Sequence, residues 1–167
     1  LTTCITPSDN KNWNARDEMS AKQLLNAIGN ACGLDNLQFD AQGCAKLLID
    51  GKLGIQLEHN DTDERIYIYS SLGTIPVTDR ETVFRRLLES NLFGHDTGGA
   101  TLAIDKLQND FILWQAIAIN QTTPEDMSAI VERFINAAET WQARLNDLPV
   151  PDTLDTTHSR AGMSAAL

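Results

Sequence analysis

Residues 78–99, TDRETVFRRLLESNLFGHDTGG, constrain the fold of this chain more than any other stretch. Thr78 and Glu81 have capping-box spacing, in which each side chain takes a backbone N–H of the first helical turn. Gly94 supplies a stop, because glycine enters the left-handed conformation cheaply. At about 100° per residue, Val83, Phe84, Leu87, Leu88 and Leu92 spread over about 180° of the helix surface. That is wider than a single docking contact needs. A helix of this kind buries one edge of its stripe in its own domain and offers the other to a partner. Val83, Phe84, Leu87, Leu88 and Asn91 are therefore read as a seam between two copies of the chain. Asn91 falls inside the stripe and requires a hydrogen-bond partner there. A helix wholly covered by its own domain is the alternative.

Around this helix the chain alternates between apolar patterns and breaks. Residues 1–18 are polar and read as a flexible arm; pattern begins at Met19. Ser20 and Gln23 form a second capping box, and Met19 with Leu24 has staple spacing. Leu24, Leu25, Ile28, Ala31 and Cys32 then share a helical face that ends at Gly33. Four extended stretches follow: Leu37 with Phe39, then residues 44–50, 53–58 and 65–72, the last being RIYIYSSL. Gly73 and Pro76 break the pattern before the central helix. Residues 100–105 and 111–119 form two more strands about a turn at 108–110. In the second of these, FILWQAIAI, both faces are mostly apolar, as in a strand that is central or sticky on one side. Thr123 and Pro124 open a third helix whose stripe runs from Met127 to Leu145. Residues 149–167 lack periodicity and read as a flexible tail, leaving 19–148 as one domain. Strands joined by short turns make an antiparallel sheet, so the fold class is α+β.

Composition excludes several roles. The 167 residues suffice for one domain with a real core. A formal charge of -10 repels nucleic-acid phosphates and anionic lipid, so neither is a direct partner. Cys4, Cys32 and Cys44 are an odd, widely spaced set that fits a reducing cytosol and no disulfide framework. The run at 111–119 is too short to span a membrane.

Chemistry is hard to find. No phosphate-binding glycine loop occurs, since Gly98 and Gly99 are not followed by Lys and Ser or Thr. The acidic stretch from Glu58 to Glu64 lacks the glycine and the distal glutamate of a calcium loop and reads as a hairpin turn. His95 and Asp96 have no evident companions for a metal site. Cys32 and Cys44 sit on apolar patterns and read as packing residues. Arg80, Arg85 and Arg86 are matched by Glu81 and Glu89 at helical spacing. Tyr67 and Tyr69 share one strand face and read as core or interface. Nothing here calls for a catalyst, a cofactor or a metal.

Residues 21–34 (AKQLLNAIGNACGL), 37–50 (LQFDAQGCAKLLID), 66–76 (IYIYSSLGTIP), 80–105 and the closing 114–119 and 129–145 together resemble the class I chaperones of bacterial type III secretion, the Tir-chaperone (CesT-like) family. The segment LLESNLFG followed by TGGATLAID is the most family-like. The resemblance covers nearly all the patterned region and rests on apolar patterns, not on a catalytic signature. It implies an α-β-β-β-α-β-β-α fold with a twisted antiparallel sheet and three helices. It also implies a homodimer seamed by the middle helix and a cytoplasmic bacterial location. Its implied partner is the N-terminal segment of a secreted effector, wrapped in extended form, with the secretion-machinery ATPase as a further partner. Groove walls are expected from the first helix and first strands, at Leu25, Ile28, Leu37, Phe39, Leu47 and Ile55. Two rivals remain at this point. One is a dimeric module of the same fold that sequesters a regulatory protein. The other is a small enzyme built on the Glu58–Glu64 cluster or on His95 and Asp96.

Overall fold

The computed structural model describes residues 15–147, with side chains from residue 21 onward. The first helix, α1, is Ala15–Ala31, and three strands follow: β1 (Cys44–Ile49), β2 (Leu53–Asn60) and β3 (Arg65–Thr74). Helix α2 (Arg80–Ser90) precedes β4 (Thr101–Asp105) and β5 (Asp110–Ala118), and α3 (Pro124–Asn146) closes the fold. This is the expected α+β class with the α-β-β-β-α-β-β-α order. One antiparallel sheet has the strand order β1-β2-β3-β5-β4. Only the α2 excursion separates β3 from β4, so β5 pairs with both and β4 becomes an edge.

Alternation along the strands decides which face is covered. In β2, Leu53, Ile55 and Leu57 are buried, and in β3, Ile66, Ile68, Ser70 and Leu72 are. Leu102, Phe111, Leu113 and Ile117 continue this face across β4 and β5. Helices α1 and α3 pack on each other, and α3 lies along β3. Helix α2 lies beside β4, with Phe84 set edge-on to Phe111 at 6.1 Å between ring centres. The buried Ser70 hydroxyl donates to the Gly54 carbonyl at 2.8 Å, so a polar atom in the core is satisfied.

Helix α3 starts where its sequence says it should. Thr123 accepts from the Asp126 N–H at 3.1 Å, and the Asp126 carboxylate accepts from the Thr123 N–H in return. Four other local expectations fail. Helix α1 begins at Ala15, ahead of the Ser20–Gln23 box, so Met19 and Ser20 lie within the helix; the Met19–Leu24 staple lies outside the described side chains. Helix α2 has Asp79 at its N-cap, in a left-handed conformation (φ 54°) with no side-chain cap bond. Thr78 therefore stands one residue too early to cap it. Residues 37–39 form no strand and pair with no neighbour among the described residues; the turn read at 40–43 is present, with the Asp40 carboxylate accepting from the N–H groups of Gln42 and Cys44, both at 2.9 Å. Finally, β3 runs on to Thr74, and Gly73 (φ 126°) sits in a register shift opposite Phe111 where a break was expected.

The expected arm at 1–18 and tail at 149–167 fall almost wholly outside the described residues.

Candidate interaction surfaces

A sheet with two edges offers two rows of backbone groups to an incoming chain. On β1 the His59 N–H donates to the Gly43 carbonyl at 2.8 Å, which fixes the alternation. Ala45, Leu47 and Ile49 face β2, and Cys44, Lys46 and Leu48 face outward. Asp40 occupies the Cys44 groups: its own N–H donates to the Cys44 carbonyl at 2.8 Å and its carboxylate accepts from the Cys44 N–H. Among the described residues nothing bonds the outward N–H and C=O of Lys46 and Leu48. The β1 edge is thus closed at its start and open along the rest.

Leu37 and Phe39, which precede the Asp40 turn at the start of β1, are both half-buried against the core. Phe39 is stacked on His59 at 5.6 Å, and His59 Nδ1 lies 3.1 Å from Asp61. These two are the only members of the expected groove set that keep exposed surface. Leu25 and Ile28 on α1, Leu47 on β1 and Ile55 on β2 are buried and belong to the core of the single chain. Leu48, 60% exposed, sits at the open edge and was not among the expected residues. Its signal was strand alternation: Leu47 faces in, so Leu48 must face out.

The face of the sheet opposite the helices carries Tyr67, Tyr69, Ile112 and Trp114, all half-buried. Tyr69 pairs across strands with Trp114, and the Tyr67 and Trp114 rings are 6.3 Å apart. They pack on one another sideways along the face.

Helix α2 divides the expected seam. Val83 and Leu87 are buried within the chain. Phe84 is half-buried on Phe111. Leu88 is 72% exposed, and beyond it Leu92 and Phe93 (85%) stand out from a short 3-10 turn, Leu92–Gly94. Phe93 has φ 56°, an unusual conformation for a bulky residue. Ile104 on β4 and Leu107 in the β4–β5 turn are also exposed. Asn91 has found its partner inside the chain: its amide donates to the Leu102 carbonyl at 3.0 Å, and its oxygen accepts from the Leu102 N–H at 2.8 Å.

Among the described residues no arrangement for bond-breaking chemistry emerges. Glu58, His59 and Asn60 end β2, and residues 61–64 are the turn to β3, in which Asn60 accepts from the N–H groups of Thr62 and Asp63. Among the described residues no group of three or more His, Cys, Asp or Glu is placed to hold a metal. His95 is exposed, and the Asp96 carbonyl accepts from the Trp141 indole N–H at 2.9 Å. Burial pushes the Cys32 thiol up from its ordinary range; burial, then the nearby Asp40 and Glu58 carboxylates, does the same to Cys44. Thiols held protonated are poor nucleophiles. No helix among the described residues is long and apolar enough to cross a membrane. What the molecule offers is surface: an open strand edge, an apolar flank and an aromatic sheet face.

The sequence profile of the Tir chaperone protein (CesT) family matches residues 23–142. The chain belongs to this family. It is 32% identical over 113 residues to a Chlamydia pneumoniae protein, covering 67% of this chain and 82% of that one. It is 29% identical over 123 residues to the transcriptional anti-antiactivator ExsC of Pseudomonas aeruginosa, covering 74% and 83%. In the crystal structure of the ExsC–ExsE complex the likeness has a TM-score of 0.63 at 27% identity, over 75% of this chain and 92% of that one. The HopA1–SchA chaperone–effector complex shares the fold, with a TM-score of 0.63 at 17% identity over 82% and 99%. This is a type III secretion chaperone family, and among the matched relatives ExsC and SchA are binding proteins, not enzymes.

Proposed function

We propose that this chain acts in the bacterial cytoplasm as a homodimer. Each dimer binds the N-terminal segment of a cognate effector in extended form, keeping it soluble and fit for secretion. The observation that carries this reading is the open edge of β1, where Lys46 and Leu48 leave two N–H and two C=O groups unbonded among the described residues. An extended client adds there as a sixth strand, with main-chain bonds for affinity and side chains for specificity. Leu37 and Phe39 form the apolar wall on one side of that strand, and Leu48 flanks it on the other. The Asp40 turn marks where the added strand must stop. The apolar flank at Leu88, with Leu92 and Phe93 beyond it, is the seam between two copies. Delivery to the ATPase of the secretion machinery follows for a chaperone of this kind, and the complex carries the client there.

A second reading is favoured by the likeness to ExsC, a transcriptional anti-antiactivator. In that case the same edge sequesters a regulatory protein.

Native mass spectrometry of the tagged protein from its own cells tests the first reading. The expected mass is two copies plus one larger protein, and proteolysis should leave that protein's N-terminal segment protected. Leu48→Pro is the accompanying variant. Proline removes one outward N–H yet is tolerated on an edge strand, so client affinity should fall about tenfold with little loss of fold. A captured regulator held through a folded domain would favour the second reading. Unchanged affinity in Leu48→Pro would show that the client does not use this edge.

A further inference from the structure

The second edge of the sheet, β4, is closed by side chains. Leu102 turns its N–H and C=O away from β5, since both are bonded to Asn91. By alternation Ala100 and Ile104 also face outward. Thr97, itself fully buried, covers Ala100: its carbonyl accepts from the Ala100 N–H at 3.1 Å, and its hydroxyl donates to the Ala100 carbonyl at 2.6 Å. Ile104 alone is left with open backbone groups among the described residues.

The Asn91 carboxamide has the same donor and acceptor as a peptide group. At 3.0 and 2.8 Å it satisfies both groups of Leu102 at once, standing where the next strand would stand. Asparagine is a poor choice inside an apolar stripe unless its amide is satisfied. Here it is held in place by the helix end, where the Asn91 N–H donates to the Leu87 carbonyl at 3.2 Å.

We propose that Asn91, backed by Thr97, is a specificity-determining residue that closes the β4 edge, so that a strand can join this sheet only at β1. The consequence concerns geometry. A sheet open at both ends could add the β1 edge of one copy to the β4 edge of the next, a head-to-tail contact that need not close. Closing one edge leaves a single strand-accepting site per copy. The inference sharpens the strand-addition reading above, yet its test uses the chain alone, with a second copy of the same chain as the probe. A failure here is therefore distinct from failure to find a client on β1.

The experiment compares the full chain with Asn91→Leu, which keeps the branched shape and removes the amide, and with Asn91→Ser, which is too short to reach both groups. Amide exchange is followed at Leu102 by NMR, and self-association by sedimentation velocity over a range of concentrations. Leu102 exchange should become about tenfold faster in both variants, as expected for one lost hydrogen-bonded pair. Species larger than those of the parent chain should grow with concentration. Adding Ile104→Lys, which places a charge on the same edge, should abolish them. Unchanged Leu102 protection would overturn the proposal. So would faster exchange with an unchanged sedimentation profile, because an opened edge would then recruit nothing.

Discussion

Helices α2 and α3 carry the same kind of apolar stripe in sequence, and the fold treats them in opposite ways. Along α3, Met127, Val131, Phe134, Ala137, Ala138 and Trp141 are all buried. On α2 only Val83 and Leu87 are. Position explains the difference. Helix α3 lies along β3, the middle strand of the sheet, with α1 packed at its side. Helix α2 lies beside β4, the last strand, and has sheet on one flank only. Its other flank, at Leu88, meets solvent. A contiguous apolar flank left over after a chain has packed its own core is the surface a partner covers.

The largest way to test this contrast is to remove α3 from it. Phe134 is fully buried, so Phe134→Ala should cost about 3–5 kcal/mol through lost transfer energy and a cavity that closes only in part. Urea unfolding of the full chain measures it. A loss near zero would mean that α3 is no more committed to the core than α2.

The next test acts on α2. Leu88→Asp puts a charge on the exposed flank and touches nothing buried. We expect a fall in mass from two copies to one by sedimentation, with an unchanged far-UV spectrum, because a charge buried without a partner at a seam is strongly disfavoured. A Leu88→Asp protein that stays a dimer would place the seam elsewhere. Phe84→Glu is a weaker test, since its ring rests on Phe111 of the same chain and its loss would harm the fold itself.

These residues also show what could be read before folding. Element order and the inward positions of β2, β3 and α3 follow from period alone, because a strand or helix with one apolar face must bury it. The need of Asn91 for a partner was equally legible, but Leu102 as that partner was not. It depends on β4 lying next to α2, which is a matter of topology. The groove suffered from the same gap. Leu47 and Leu48 look alike in sequence, yet one side chain points under the helices and the other to the opposite, exposed face of the sheet. Leu37 and Phe39 alternate as strand residues do, yet they pack against the core from an irregular segment that runs into the Asp40 turn.

The smallest expected effect sharpens the comparison at the helix starts. Thr78 and Thr123 head motifs of the same spacing, Thr78 with Glu81 and Thr123 with Asp126. Only Thr123 caps its helix, since Asp79 takes the N-cap of α2 and bends the chain there. Thr123→Ala should therefore cost about 1 kcal/mol, and Thr78→Ala should fall within about 0.5 kcal/mol of the parent. Both are read as shifts in urea midpoint at constant slope. Equal costs would mean that α2 acquires its Thr78 cap in solution. In that case α2 begins at Asp79, one residue earlier than Arg80, and the left-handed conformation of Asp79 is lost to a helical one.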